Sequence, residues 1–389
     1  MTYLDHAATT PLRPAARAAW LEASAEVGNA SALHGAGRRA RAIVEEARER
    51  LAAALGAHPT EVIWTSGGTE ADNLAIKGHF WQRRGADAAR TRVVTTSVEH
   101  HAGLDPVRWL AAAEGATAVE LPVDRTGVLR LDALERELAE HAGQIALASV
   151  MWANNEVGAL QPVAQVAALA AAHGIPVHSD AVQAVGHVAV DFAASGLTSL
   201  ALSAHKVGGP VGVGALLLAR RARLTPLTHG GGQERSVRSG TLDPAGAIAA
   251  AVAVEAAVAE RAAEEARLGA LRDRLVALID ADIPQAWVSG PAAAGAHLPG
   301  IVHLIVPGAP GEALLYVLDS HGVEVSNGSA CVAGVVQASH VVEAMGYSHA
   351  DASSTLRISM GHTTTDADVD ALMAVLPDAV DRALRVRAR

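Results

Sequence analysis

The chain has one cysteine, Cys331, which excludes an intramolecular disulfide and any zinc or iron–sulfur site assembled from several cysteines of one chain. Aromatic residues are scarce, at 3%, although half of the residues are hydrophobic. The core must therefore be built from Ala, Val and Leu. Lys and Arg together number 31 against 41 Asp and Glu, for a formal net charge of -10, and no basic run stands out. That balance gives no surface for a phosphate backbone, so nucleic acid is not expected as a direct partner. The stretch Met1-Thr2-Tyr3-Leu4-Asp5-His6 has neither the basic start nor the apolar run of a secretory leader, and the most apolar later run, residues 245–259, is broken by Glu255. No membrane segment is expected, and the chain reads as soluble and cytoplasmic.

With 389 residues, the chain can bury one large core and one smaller core. Between about residues 60 and 218, short β-branched runs alternate with Ala/Leu-rich stretches, the pattern of parallel strands joined by helical crossovers. Strands are expected near residues 62–64, 92–95, 117–121, 145–150, 176–178, 200–202 and 214–218. Helices lie between them, including 131–140 and 163–173, the second closed by Gly174 as a C-terminal cap. A segment from Pro244 to about Asp280 has helical periodicity and runs from one lobe into the next. Strand-like residues 301–306, 323–326 and 356–359, with helices opening near Gly311 and after Thr365, complete a smaller α+β lobe. The expected fold class is α/β, with a large domain over residues 14–250 and a small domain made of residues 1–13 and 251–389.

Chemistry-bearing residues recur where strands end. In Ser203-Ala204-His205-Lys206 a strand gives way to one lysine and then to Gly208-Gly209. A lysine at the end of a parallel strand, if desolvated, can lose its proton and condense with an aldehyde; it can equally be a surface residue in a turn. Asp180, after the run Val177-His178-Ser179, is placed either to pair with a protonated ring nitrogen or to cap a helix. The segment Thr65-Ser66-Gly67-Gly68-Thr69 opens a helix and offers hydroxyl and N–H groups to one phosphate, without Walker or dinucleotide-binding spacing. His100 and His101 are adjacent and unsuited to sharing a metal ion, so no metal is expected; a ring stacked on a flat cofactor fits His100 better. Asn154 and Asn155 supply amide donors. Each of these alone is compatible with a structural role; their joint placement at successive strand ends favours a site.

These segments together resemble the cysteine desulfurase family, within the fold-type I, class V aminotransferase group of pyridoxal 5'-phosphate (PLP) enzymes. The likeness runs from Tyr3-Leu4-Asp5-His6-Ala7-Ala8-Thr9-Thr10-Pro11 through the Thr65 to Asn73 loop, Glu99-His100, Asn154-Asn155-Glu156, Asp180 with Gln183, Ser203 to Lys206, and His229 to Glu234. It continues through Arg238-Ser239-Gly240-Thr241, Ser326-Asn327-Gly328-Ser329-Ala330-Cys331 and Leu356-Arg357-Ile358-Ser359.

The resemblance implies a mostly parallel seven-stranded sheet flanked by helices, and PLP held covalently by Lys206. Asp180 would contact the ring nitrogen, His100 would stack on the ring, and Gln183 would reach its hydroxyl. Gly68, Thr69, Ser203 and His205 would hold the phosphate, with Thr241 coming from the second subunit of a homodimer. Asn155, which also borders the cofactor, and Arg357 would grip the carboxylate of L-cysteine. Cys331, in a stretch bounded by Gly328 and Gly334 that reads as a loop, would take the sulfur as a persulfide and pass it to an acceptor protein, such as an iron–sulfur scaffold or a thiolation enzyme. Before that context an isolated cysteine reads more readily as a small buried hydrophobe than as a catalytic thiol. The length from Cys331 to His340 resembles the long-loop, cluster-assembly class, whereas residues 332–338 are more apolar than is usual there. Family members often have Asn-Pro-Ser where this chain has Asn29-Ala30-Ser31, and Arg where it has His362. A selenocysteine lyase or another class V PLP enzyme would share Lys206 and Asp180, and a non-catalytic metabolite-binding protein would share the strand-end glycines.

Overall fold

The computed structural model describes residues 1–328 and 337–387; Cys331 lies outside the described residues. Twelve strands occur among those described: β1 (Thr2–Tyr3), β2 (Val62–Thr65), β3 (Arg92–Thr96), β4 (Thr117–Leu121), β5 (Ile145–Ser149), β6 (Val177–Asp180), β7 (Ser199–Ser203), β8 (Gly214–Leu218), β9 (Trp287–Ser289), β10 (Ile301–Ile305), β11 (Val323–Glu324) and β12 (Thr355–Ser359). All seven strands expected in the first part of the chain are present. They form one sheet in the order β2-β8-β7-β6-β5-β3-β4, in which β8 runs against both of its neighbours and the rest share a direction.

The strand sequences explain why this sheet sits inside the molecule. β7 is Ser-Leu-Ala-Leu-Ser and is buried along its whole length. Leu200 and Leu202 enter the main core on one face, while Ala201 joins a separate cluster with Ala71 and Leu74 on the other. A strand apolar on both faces is stable only where helices cover both. The helix Gly68–Ala86 packs against β5, β7 and β8 and so covers one of them.

The long helix Pro244–Asp282 starts with Pro244 in its first turn, capped by the Asp243 side chain, which accepts the Gly246 N–H at 3.0 Å. Ala249, Ala250, Val254 and Ala257 of this helix belong to the main core, whereas Leu268, Leu271, Leu275 and Ile279 belong to a second. The second core lies under an antiparallel sheet ordered β12-β10-β9. The chain start joins this part of the molecule. β1 pairs in parallel with β11, and Asp5 bridges to Ser359 at the end of β12. Residues 5–8 then cross back towards the large sheet, which brings an N-terminal segment to the ends of β6 and β7.

Candidate active site

A cavity of about 520 Å³ lies where β5, β6 and β7 end and the N-terminal segment crosses. Gly68, Thr69, His100, Asn155, Asp180, Gln183, Ser203, His205, Lys206 and Arg357 all line it. Ten of the residues singled out from the sequence are thus brought together. Thr241 is not among them; it borders a separate depression of about 100 Å³ with Thr65, Ser66 and Arg238.

Lys206 ends the short 3-10 turn Ala204–Lys206 that follows β7. Its Nζ donates to the carbonyls of Ala7 at 2.6 Å and Ala8 at 2.9 Å. Burial, followed by the charge of Arg357, lowers its pKa to about 8, against the opposing charges of Asp180 and Asp5. A neutral, nucleophilic amine is therefore accessible near neutral pH. Asp180 is the last residue of β6 and accepts the Val182 N–H at 2.9 Å, so it makes the local turn contact expected of a capping acid while facing the cavity. Burial raises its pKa, and the Val182 N–H and Lys206 pull the other way. It forms no ion pair among the described residues.

His100 caps the helix His101–Glu114, its Nδ1 accepting the Ala102 N–H at 3.1 Å. Burial, with Lys206, His101 and His340 nearby, lowers its pKa to about 4. The ring is therefore neutral at pH 7, and with Nδ1 engaged it carries its proton on Nε2. Gln183 donates from Nε2 to the Ala7 carbonyl at 2.9 Å, and His205 Nδ1 lies 3.2 Å from Thr9 Oγ1. Arg357, 5% exposed, donates from Nη1 to the Asn155 carbonyl at 2.9 Å and from Nη2 to Asp5 Oδ1 at 2.8 Å. Its buried Nε has no partner among the described residues.

A model of the class-V aminotransferase family matches residues 2–372. The chain belongs to this family. An IscS-like cysteine desulfurase of Mycobacterium tuberculosis is 52% identical over 99% of this chain and 98% of its own. An IscS cysteine desulfurase of Clostridium botulinum is 37% identical over 97% of this chain and 94% of its own. A solved NifS-like protein superposes with a TM-score of 0.89 at 31% identity, covering 98% of this chain and all of that one. Within the class-V family the chain is a cysteine desulfurase, and such enzymes depend on PLP.

The cavity fits that cofactor on its own chemistry. It joins a lysine of lowered pKa to a buried acid that forms no ion pair among the described residues and to a helix start whose N-cap, Gly67, offers no side chain to the first N–H groups. At that start Gly67 has φ of +151°, a conformation that side chains disfavour. A Cβ on Gly68 would come within 2.6 Å of Val182 Cγ2, so glycine keeps this wall of the cavity open. PLP would be held by Lys206 at its aldehyde, by Asp180 at its ring nitrogen, and by Thr69, Ser203 and His205 at its phosphate.

Sequence reasoning gave no role to several cavity residues. Asp5, Asp72, His101 and His340 line the wall, and Glu99 lies just behind it, accepting the Met151 N–H at 3.0 Å and the Thr96 hydroxyl at 2.6 Å. One signal was available for Asp72. It falls with Ala75, Ile76 and His79 on the inward stripe of its helix, where a charged group is out of place. No helix among the described residues is long and apolar enough to cross a membrane.

Proposed function

We propose that the chain converts L-cysteine to L-alanine and transfers the sulfur through a persulfide on Cys331 to an acceptor protein. One observation carries this reading. Lys206, Asp180 and Arg357 line a single cavity whose wall also includes Gly328, the last described residue before the segment that contains Cys331, and His340, which follows soon after the described residues resume at 337. Full-length similarity to cysteine desulfurases supports it.

In this reading Arg357 receives the substrate carboxylate through its fixed guanidinium fork, and Asn155 lies beside it. Lys206 holds the cofactor and then, released as an amine of lowered pKa, moves the proton at the substrate α-carbon. Asp180 would keep a proton on the ring nitrogen of the cofactor, and Gln183 would reach its ring hydroxyl. PLP, when bound, withdraws electrons from the substrate α-carbon. His100, which lines the cavity, would stack on the ring and present its Nε2–H. The Cys331 thiolate attacks the substrate sulfur, the carbon–sulfur bond breaks, and the carbon skeleton takes up a proton to leave as alanine. Thr241 serves the phosphate of the second subunit in a homodimer, consistent with its place outside the cavity of its own chain. The family's acceptors suggest an iron–sulfur scaffold or a thiolation enzyme as the sulfur's destination.

The test is anaerobic incubation of the PLP-loaded protein with cysteine, followed by intact-mass measurement and alanine assay. The wild type retains one added sulfur and forms alanine; Cys331→Ser retains none. Equal sulfur retention in both proteins would refute the assignment of Cys331.

A further inference from the structure

The cavity contains an acid to which the mechanism above assigns no task. Asp5 lines it, keeps 21% of its side-chain surface, and holds Arg357 Nη2 at 2.8 Å. Its charge also acts on Lys206, where it opposes the effect of Arg357. The backbone accounts for this position. Asp5 bridges to Ser359, two residues beyond Arg357 on β12, and it precedes by two residues the Ala7 carbonyl that receives Lys206 Nζ. It therefore touches one of the two cations of the cavity and stands close to the other.

An α-amino acid carries its carboxylate and ammonium groups on the same carbon. A ligand with its carboxylate on Arg357 and its nitrogen directed to Lys206 brings that ammonium to Asp5. We propose that Asp5 is a specificity-determining residue whose carboxylate receives the substrate's α-ammonium group, selecting zwitterionic amino acids over carboxylates that lack an amine. The proposal rests on the function proposed above. The donors of Arg357 agree with it. Nη2 is already held by Asp5 and Nη1 by the Asn155 carbonyl, so a carboxylate that reaches this guanidinium arrives beside Asp5. An anion arriving there without a compensating ammonium meets the Asp5 charge at close range, and such repulsion discriminates as effectively as attraction.

A different duty for Asp5 would be only to steady Arg357, and the two are separable with the PLP-loaded enzyme. The measurements are KM and kcat for L-cysteine and the competitive inhibition constant of 3-mercaptopropionate, which has the same thiol and carboxylate but no amine. In Asp5→Asn the cysteine KM rises about tenfold or more, as loss of a charged hydrogen bond implies, with a smaller change in kcat. The 3-mercaptopropionate constant stays level or falls. Parallel weakening of both ligands, or no change in either, overturns the proposal. Should Asp5→Asn lose its cofactor absorbance or melt early, Asp5→Glu gives the same comparison with the charge retained: a preserved preference for cysteine supports the proposal and parallel weakening overturns it. Failure of the underlying function would look different, since the wild type would then form no alanine from cysteine.

Discussion

His178 Nε2 lies 3.1 Å from Asp72 Oδ1 beneath the cavity, with both side chains fully buried. The contact has the spacing of an ion pair, yet burial disfavours the charged form of both groups. Burial lowers the His178 pKa to about 3, and burial with the charges of Asp180 and Glu99 raises that of Asp72. Hydrogen bonds continue from His178 Nδ1 to Ser199 Oγ at 3.0 Å and from Ser199 Oγ to His79 Nε2 at 3.1 Å. The chain is satisfied in either direction: from His79 through Ser199 and His178 to Asp72, or, with the proton on Asp72, from Asp72 through His178 and Ser199 to His79. Asp180 follows His178 by two residues on the same face of β6, so this chain braces the acid assigned to the cofactor ring.

Three buried carboxyl groups so close together make stability depend on pH. Glu99 has its pKa raised from 4.5 to about 8, chiefly by burial, and Asp72 is raised as well. A carboxyl whose folded pKa exceeds its unfolded value contributes stability fully below the unfolded value and loses it as pH rises through the folded one. The cofactor-free protein is therefore expected to lose stability between about pH 5 and 8, by at most roughly 1.4 kcal/mol per pH unit for each group. Glu99→Gln and Asp72→Asn should each flatten that slope in urea denaturation. A wild-type stability that stays level over this range would contradict the assignment.

Lys206 makes a kinetic prediction. Only the unprotonated amine attacks an aldehyde, and burial with Arg357 lowers its pKa to about 8. Uptake of PLP by the cofactor-free protein, followed by absorbance, should speed up with pH and reach half its limit near 8 rather than near the ordinary lysine value of 10.5. Lys206→Ala should abolish covalent retention after borohydride reduction and lower alanine formation by about two orders of magnitude or more.

The sheet was legible because β5, β7 and β8 are short apolar runs between turn-forming residues, and the positions of Asp180 and Lys206 follow from where such strands end. The buried acids were less legible. Asp72 and Glu99 sit beside helix starts, where an acid ordinarily faces solvent and stabilises the helix. Only the packing of the helix Gly68–Ala86 against the sheet turns Asp72 inward. The bonds from Lys206 to Ala7 and Ala8 and from Arg357 to Asp5 join residues some 200 and 350 positions apart. No local pattern encodes such separations. Asn155 shows a subtler difference: it was singled out for its amide, yet it is its backbone carbonyl that holds Arg357.

Arg357→Lys should show that the guanidinium fork matters as well as its charge. Arg357 bonds Asn155 and Asp5 from different nitrogens, and an ammonium cannot reproduce that geometry. The cysteine KM is expected to rise about tenfold to a hundredfold, as for loss of a charged hydrogen bond. Thermal stability should fall less than in Arg357→Ala, which leaves Asp5 without its cation. A KM unchanged in Arg357→Lys would argue that the substrate carboxylate binds elsewhere.

A buried ion pair outside the cavity lining should dominate the response of the fold to single substitutions. Arg48 Nη2 meets Glu234 Oε1 at 2.6 Å and Nη1 meets Oε2 at 2.9 Å, with side-chain exposures of 6% and 1%. The same carboxylate accepts the Trp64 N–H at 2.8 Å, and Arg48 also donates to the Val62 carbonyl at 2.6 Å, so the pair ties β2 to residue 234. Glu234, Arg235 and Ser236 all have positive φ, at 45°, 53° and 61°, which is unfavourable for side-chain-bearing residues and persists only when the surroundings hold it. Arg48→Ala strands a buried carboxylate and removes that hold at once, so urea unfolding should show a loss of about 3–5 kcal/mol. The double variant Arg48→Met with Glu234→Leu leaves no buried charge and should recover much of the loss, while the strained turn, without its anchor, keeps the recovery incomplete. If Arg48→Ala alone costs less than about 1 kcal/mol, the value typical of an exposed pair, then water reaches this contact and the buried geometry is wrong.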